Sequence, residues 1–300
     1  MLQLLIYGII WGSILMLGGV GLSLTYGIMG FANFAHGDVM ALGAYFSFII
    51  ATFVRRIGIP SSSFGPLSFG LPILIALIGS MILTAITTIL IDRALFKRLR
   101  KVKSIILLIA AVGVSFSLRN TIQFIWGPQP KYYFEGIQIT NKIPGIAARI
   151  KPDEIFIVAT AFLLAILVHG LLKYTKVGKA MRATSDNPDL ASTVGINTER
   201  IITWTWGIGG ALAAAGGTLA GIENRFVTPA MGWNMLLPMF AAVILGGIGS
   251  PYGAMVGGLV IGLSEELSTA VLPTAYKPAV AFTIMILILL FQPKGLFGGE

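Results

Sequence analysis

The chain contains no cysteine, which excludes disulfide bonds, thiolate metal sites and a cysteine nucleophile. It has only two histidines, His36 and His169, and it lacks an HExxH pair, a glycine-rich dinucleotide turn and a GxxxxGK[ST] phosphate loop. We therefore expect no catalytic residues, no metal site and no cofactor bound by this chain. If ATP drives the protein, a partner subunit must bind the ATP.

Charge is also scarce. Only 11% of the 300 residues are charged and 56% are hydrophobic, whereas soluble domains average about 25% charged residues. Four long stretches hold no Asp, Glu, Lys or Arg, namely residues 1–37, 39–54, 57–91 and 226–264. One bilayer span needs about 20 apolar residues, so several stretches hold more than one span. This composition argues against a soluble fold.

The apolar runs predict about nine transmembrane helices, within a range of about 8–10. They cover residues 4–26, 30–54, 71–91, 104–126, 155–172, 201–222, 235–249, 253–272 and 278–291. Because lipid offers the backbone no hydrogen-bond partner, each span must be helical. The predicted fold class is an all-α integral membrane bundle, a single domain over residues 1–300 with discontinuous segments. The short span 235–249 is a candidate half-helix.

Lys and Arg cluster beside the spans. The net charge of +9 therefore indicates basic cytoplasmic loops rather than a nucleic-acid-binding surface. Residues 93–103 and 173–200 are the two basic segments, and the positive-inside rule places both in the cytoplasm. The N-terminus is then outside and the C-terminus inside. Residues 127–154 become an external hairpin, either a receptor-facing surface or an ordinary connector.

Residues 175–200 are longer than a connector between adjacent spans needs. The basic run VGKAMRA predicts a short helix, SDNPD a turn, and DLASTVGI a second short helix that ends at Gly195. Asp186 or Asp189 is placed to cap the second helix. The pattern indicates either a helix–turn–helix that docks on a partner or a solvated loop with incidental helicity.

Polar residues interrupt the apolar sequence GFANFAHGDVMALGAY, and they are Asn33, His36, Gly37 and Asp38. Such a break suits a discontinuous helix whose backbone faces a cavity, so these residues are candidates for a translocation path or gate. Alternatively, Asn33 and Asp38 cap the second helix while His36 binds a nearby carbonyl. Three further ionisable residues lie within predicted spans: Arg119, Glu265 and Glu266. Arg119 is expected to pair within the bundle or to extend toward the outer interface.

Small residues recur every four positions on two predicted helix faces. They are Gly209, Ala213, Gly217 and Gly221 in the sixth span, and Gly249, Gly253 and Gly257 around the break after the seventh. This spacing lets helix backbones approach closely, which predicts helix packing and needs no further function.

The segment GKAMRATSDNPDLASTVGIN resembles the EAA-type cytoplasmic loop of ABC importer permease subunits. YGIMGFANFAHGDVMALGAY, AAVILGGIGSPYGAMVGGLVIGL and FQPKGLFG resemble the branched-chain amino-acid permeases of bacteria and archaea. The resemblance implies a bundle in the plasma (inner) membrane that pairs with a second permease subunit, two ATPase subunits and an external substrate-binding protein. By position it assigns six residues to ATPase coupling: Gly178, Lys179, Ala180, Arg182, Ala191 and Gly195.

The expected function is therefore half of the translocation pathway of an ATP-driven importer for branched-chain amino acids. Three alternatives stay open. The same importer class could carry urea or short amides, since permease motifs do not encode which cargo the external substrate-binding protein selects. A gradient-driven secondary carrier and a structural membrane anchor without a pathway are the other two.

Overall fold

Helices dominate the computed structural model, which describes residues 1–59, 65, 67–100, 102–133, 141–142 and 149–298. The helices are α1 (Leu2–Met29), α2 (His36–Arg56), α3 (Leu71–Ile91), α4 (Lys97–Leu99), α5 (Ser104–Trp126), α6 (Pro152–Tyr174), α7 (Lys176–Asp186), α8 (Pro188–Thr193), α9 (Thr198–Asn224), α10 (Met231–Gly246), α11 (Pro251–Ser268) and α12 (Lys277–Phe291). A π-helical turn, Asp92–Phe96, joins α3 to α4, and a 3-10 turn, Thr274–Tyr276, precedes α12. The predicted all-α class is confirmed.

Six helices in the described residues are long and apolar enough to cross a membrane. They are α1, α2, the continuous run Leu71–Leu99, α5, α6 and Thr274–Phe291. The other three predicted spans fall on α9, α10 and α11. α10 has 16 residues, about 24 Å of helix, and α9 and α11 are rich in glycine and alanine, which lowers their hydropathy. The count of nine spans stays a prediction.

The bundle is organised around α1 and α9. α1 packs along α11 and α9, while α2 packs against α3, α9 and α10. The residues of α1 from Ile14 to Thr25 are all buried. By contrast, α5, α6 and α12 expose much of their apolar surface, including Phe124, Ile166 and Leu290. Exposed apolar faces of this kind suit lipid or a second membrane subunit.

Glycine permits the close contacts between these helices. A Cβ on Gly217 would lie 2.1 Å from the Met40 carbonyl oxygen, and one on Gly257 would lie 2.0 Å from that of Ala242. The remaining small residues singled out by spacing lie as follows: Gly209 faces Thr25 and Gly21, Gly221 faces Tyr133 and Val227, Gly253 faces Gly246, and Ala213 is fully buried. Gly249 differs, because it adopts φ +82° in the turn between α10 and α11.

Short strands gather at one end of the bundle. β1 (Lys131–Tyr132) pairs antiparallel with β4 (Phe226–Val227), and β2 (Asn141–Lys142) pairs with β3 (Arg149–Ile150). The β1–β4 pair joins the connector after α5 to the end of α9. Residues 134–140 and 143–148 of the predicted external hairpin lie outside the described residues.

Candidate functional sites

The first turn of α2 lies inside the bundle rather than at its surface. Gly30 ends α1 in the left-handed conformation, with φ +69°, and the chain then returns between the helices. His36 is 2% exposed, and its Nε2 lies 3.0 Å from the Gly18 carbonyl oxygen. Gly18 is about 16 Å of helix rise from the end of α1, so α2 begins deep between its neighbours.

Two of the predicted gate residues, Asn33 and Gly37, shape this first turn. The Asn33 Oδ1 accepts the Ala35 N–H at 3.1 Å, and the Asn33 carbonyl accepts the His36 N–H at 3.2 Å. A Cβ on Gly37 would lie 2.3 Å from the carbonyl oxygen of Gly232 in the first turn of α10. The N-termini of α2 and α10, each carrying the partial positive charge of a helix dipole, therefore meet through backbone contacts.

Asp38 makes no capping bond and instead forms an ion pair with Arg119 of α5. The Arg119 Nε donates to Oδ1 at 3.0 Å and Nη2 donates to Oδ2 at 2.9 Å, while the Ser115 hydroxyl also donates to Oδ2. The Asp38 side chain is fully buried and that of Arg119 is 18% exposed. Bidentate geometry makes this a strong pair. Of the two expectations for Arg119, pairing within the bundle is the one observed.

The open side of Arg119 is lined by aromatic rings. Its guanidinium carbon lies 4.6 Å from the ring centroid of Trp233 and 5.5 Å from that of Phe116. Both rings are partly exposed at the surface of this chain. A guanidinium exposed to hydrocarbon is costly, so this face suits an aqueous path or another subunit better than lipid.

The predicted coupling segment forms two capped helices. The Thr175 hydroxyl accepts the Gly178 N–H at 3.0 Å to start α7, and the Asn187 Oδ1 accepts the Leu190 N–H at 2.9 Å to start α8. Asn187 therefore caps α8, and neither Asp186 nor Asp189 does, because Pro188 places the cap one residue before it. α8 is followed by Gly195 at φ +88°.

α7 is held tightly against the bundle. A Cβ on Gly178 would lie 2.3 Å from the Leu171 carbonyl oxygen, so α7 can fold back on α6 only with glycine there. The Ser185 hydroxyl donates to the Gly27 carbonyl at 2.9 Å, which joins α7 to the end of α1. Met181 is buried. α7 is thereby in direct contact with both α6 and α1.

The opposite face of the segment is open. Lys179, Arg182 and Gly195 are exposed, Ala180 is half-buried, and Ala191 is buried as the inward contact of α8. Two apolar side chains, Leu190 and Val194, are 62% and 70% exposed. Exposed apolar side chains beside cations on a helix pair are typical of a docking surface.

The two basic segments lie at the same end of the bundle. Glu199, at the start of α9, pairs with Lys97 at 3.1 Å and with Arg100, which also pairs with Asp92. Slight burial raises the pKa of Glu199, but Lys97 and Arg100 outweigh it, so the net shift is downward. This network joins residues 92–100 to the end of the coupling segment.

Sequence reasoning missed a cavity of about 490 Å³ at the end of the bundle that carries the β1–β4 pair. Its charged lining residues are Lys151, Glu223, Glu265, Glu266 and Lys277. Burial disfavours the charged form of Lys151, but Glu223 and Glu154 outweigh that effect and raise its pKa. The adjacent carboxylates in the apolar α11 were the available signal, yet nothing in the sequence grouped them with Lys151 before α6 or with residues on α9 and α12.

The fold and hydropathy define a multi-pass α-helical membrane protein. The family model described as the permease component of branched-chain amino acid transport systems matches residues 4–289, and the chain belongs to that family. The resemblance noted in the sequence motifs is thus confirmed. No solved structure gives a significant match.

Named relatives agree with the family. The chain is 35% identical over 99% of its length to the high-affinity branched-chain amino acid transport system permease protein LivH of Salmonella typhimurium, covering 95% of that protein. It is 34% identical, with the same coverage, to LivH of Escherichia coli strain K12, and 33% identical to BraD of Pseudomonas aeruginosa, again covering 99% of this chain and 95% of BraD. Family membership supports a permease role.

Proposed function

We propose that the chain is the transmembrane permease subunit of an ATP-driven importer for branched-chain amino acids, located in the plasma (inner) membrane. It forms half of the translocation pathway with a second permease subunit. Two cytoplasmic ATPase subunits supply the energy and an external binding protein supplies the cargo. The observation that carries the proposal is the capped α7–α8 pair, with exposed Leu190 and Val194 at its tip.

The α7–α8 pair acts as the coupling element. When the ATPase subunits close on ATP, they push the exposed tip, and the rigid contacts of Gly178 and Ser185 pass this movement to α6 and α1. Because α1 packs along α9 and α11, the bundle moves as a body rather than deforming locally. Rocking of two such bundles gives alternating access.

The meeting point of α2 and α10 forms the gate in this proposal. α1 contacts it through His36 and Gly18, so movement of α1 reaches the first turn of α2 directly. The aromatic face over Arg119 opens at the surface of the chain, where the second permease subunit completes the path. Asn33, His36, Gly37 and Asp38 are then gate residues.

The orientation follows from charge. The basic loop after α3 and the coupling segment share one end through the Glu199 ion pairs, and a shared cytoplasmic location satisfies the positive-inside rule. The N-terminus then lies outside and the C-terminus inside. The connector between α5 and α6 lies on the external side, where it faces the binding protein.

Reconstitution tests this proposal. The chain, its partner permease and both ATPase subunits are inserted in proteoliposomes with the binding protein, and uptake of radiolabelled L-leucine is followed. We expect uptake that requires ATP and survives collapse of proton and sodium gradients with ionophores. Uptake by the chain alone, driven by such a gradient, would instead establish a secondary carrier. ATP-dependent uptake of urea but not leucine would retain the importer class and change the cargo.

A further inference from the structure

A groove of about 380 Å³ lies between α3 and α9. Small residues leave room for it, namely Ala85 on α3 and Gly207 and Ala211 on α9. Apolar atoms form its wall. Trp204, another lining residue, is 45% exposed, so the groove opens at the outer surface of the bundle. An open apolar groove on a membrane protein suits a hydrocarbon chain.

One end of the groove meets the basic segment that follows α3. Thr203 lines the groove there, and its hydroxyl donates within α9, to the Glu199 carbonyl at 3.0 Å. The Glu199 carboxylate pairs with Lys97 at 3.1 Å, and this ion pair joins α9 to the continuation of α3 one turn beyond the groove. The apolar wall therefore ends directly at a charged region.

Two exposed arginines flank this charged end. Arg93 follows the lining residue Ile89 by four positions on α3 and its continuation. Arg200 precedes the lining residue Trp204 by four positions on α9. Residues four apart are neighbours on a helix surface, so both guanidinium groups can reach the mouth of the groove. Tryptophan beside arginine is typical of the depth at which lipid headgroups lie.

The nearby carboxylates do not neutralise these arginines. Asp92 and Glu199 both pair with Arg100. Neither Arg93 nor Arg200 forms an ion pair with any residue that the structure describes. A guanidinium binds phosphate through two parallel N–H···O bonds, and basic pockets between transmembrane helices bind anionic lipid headgroups. Groove and charge together fit a molecule that has both an acyl chain and a phosphate.

From this arrangement we propose that the α3–α9 groove binds one anionic phospholipid. One acyl chain lies in the groove over Gly207. The second lies on the adjacent aliphatic side chains of α3, Ile86 and Leu90, which are 49% and 57% exposed. The lipid phosphate accepts hydrogen bonds from Arg93 and Arg200. This lipid site requires neither ATP nor a particular cargo, so it stands or falls separately from the transport function.

Two other occupants fit the groove less well. A free phosphate ion would leave the apolar wall without a partner. A second copy of this chain would bring the same arginines against each other across a two-fold axis, and like charges repel. An anionic phospholipid satisfies both the wall and the charged end.

Native mass spectrometry of the full-length chain in detergent tests the proposal. Anionic dioleoylphosphatidylglycerol is compared with dioleoylphosphatidylcholine, which has the same acyl chains and a zwitterionic headgroup. We expect the anionic lipid to bind more tightly. Arg93→Gln and Arg200→Gln should each weaken its binding about fivefold, the effect of about 1 kcal/mol per basic residue near anionic lipid. Arg56→Gln, the same change at an exposed arginine that ends α2, should not.

Gly207→Leu fills the groove and keeps both arginines. Among the described residues, a Cβ at Gly207 would meet Ile89 Cδ1 alone, at 3.4 Å, so the fold should accept a side chain there. We expect this variant to lose the tightly bound anionic lipid, because the acyl chain has no place to lie. The control Gly113→Leu adds the same side chain at a helical glycine with open space around it and should retain the lipid.

Three results would overturn the proposal. The first is equal binding of the two lipids, or wild-type binding by both arginine variants. The second is competition by glycerol 3-phosphate as effective as that by the intact lipid, which would show an anion site without a place for the chain. The third comes from the same titration on the complete importer, where loss of the lipid on assembly would show that the second permease subunit covers the groove. Retention of the lipid there would support the proposal.

Discussion

Removing one partner of the buried ion pair between Asp38 and Arg119 should be among the most destabilising single substitutions in this chain. Arg119→Gln leaves a fully buried carboxylate that keeps the Ser115 hydroxyl as a donor, and losing one partner of a buried pair costs about 3–5 kcal/mol. Asp38→Asn should cost about 3 kcal/mol, the lower end of that range, because the freed guanidinium keeps its contact with Trp233 and some solvent.

A double-mutant cycle measures the pair itself. The free energy of unfolding is determined by denaturant titration in mild detergent for the wild type, both single variants and the double variant. The double variant should recover about 2–3 kcal/mol relative to the sum of the single losses, since it leaves no unpaired charge. Lys97→Gln is the matched control, because that ion pair is half-exposed and should contribute at most about 1 kcal/mol. Single losses as small as the control, with no coupling, would refute the reasoning.

Three further predictions concern packing, docking and gating. Gly232→Ala places a Cβ 1.9 Å from the Gly37 carbonyl oxygen and should lower the unfolding free energy by about 1–3 kcal/mol. The control Gly113→Ala, which has open space around it, should not lower it. Equal effects of the two substitutions would contradict the backbone contact between α2 and α10. Leu190→Glu should abolish co-purification of the ATPase subunits while the chain keeps its thermal stability, because Leu190 is 62% exposed; retained co-purification would disprove the docking surface. Phe116→Ala at the aromatic face should reduce transport without loss of ATPase binding, and unchanged uptake would remove that face from the path.

Much of the fold followed from the sequence because a bilayer constrains it so strongly. Uncharged runs must be helices, and each predicted span falls on a helix. The short helices of the coupling segment were also predictable, since Pro188 and Gly195 mark their limits. The cap on α8 was misassigned to an aspartate, because Asn and Asp have similar capping propensity. Pro188 decides between them, since it occupies the first helical position and so makes Asn187 the capping residue.

Long-range partners could not be predicted. Nothing local joins Asp38 to Arg119, which are separated by two helices in the chain, and the depth at which α2 begins depends on glycine contacts with α10. The cavity that holds Glu265 draws its wall from five helices and so has no local sequence pattern. Residues of one helix face can be inferred from periodicity, whereas a site shared between helices requires the packing itself.

Cross-linking of the coupling segment to an ATPase subunit tests the central claim most directly. The chain has no cysteine, so Val194→Cys introduces a single reactive thiol at a side chain position that is 70% exposed. We predict that this thiol forms a disulfide with a cysteine placed in the groove of the ATPase partner, that ATP binding changes the yield, and that the cross-link stops leucine uptake. Labelling of the same thiol from outside intact cells by a membrane-impermeant maleimide would contradict the claim.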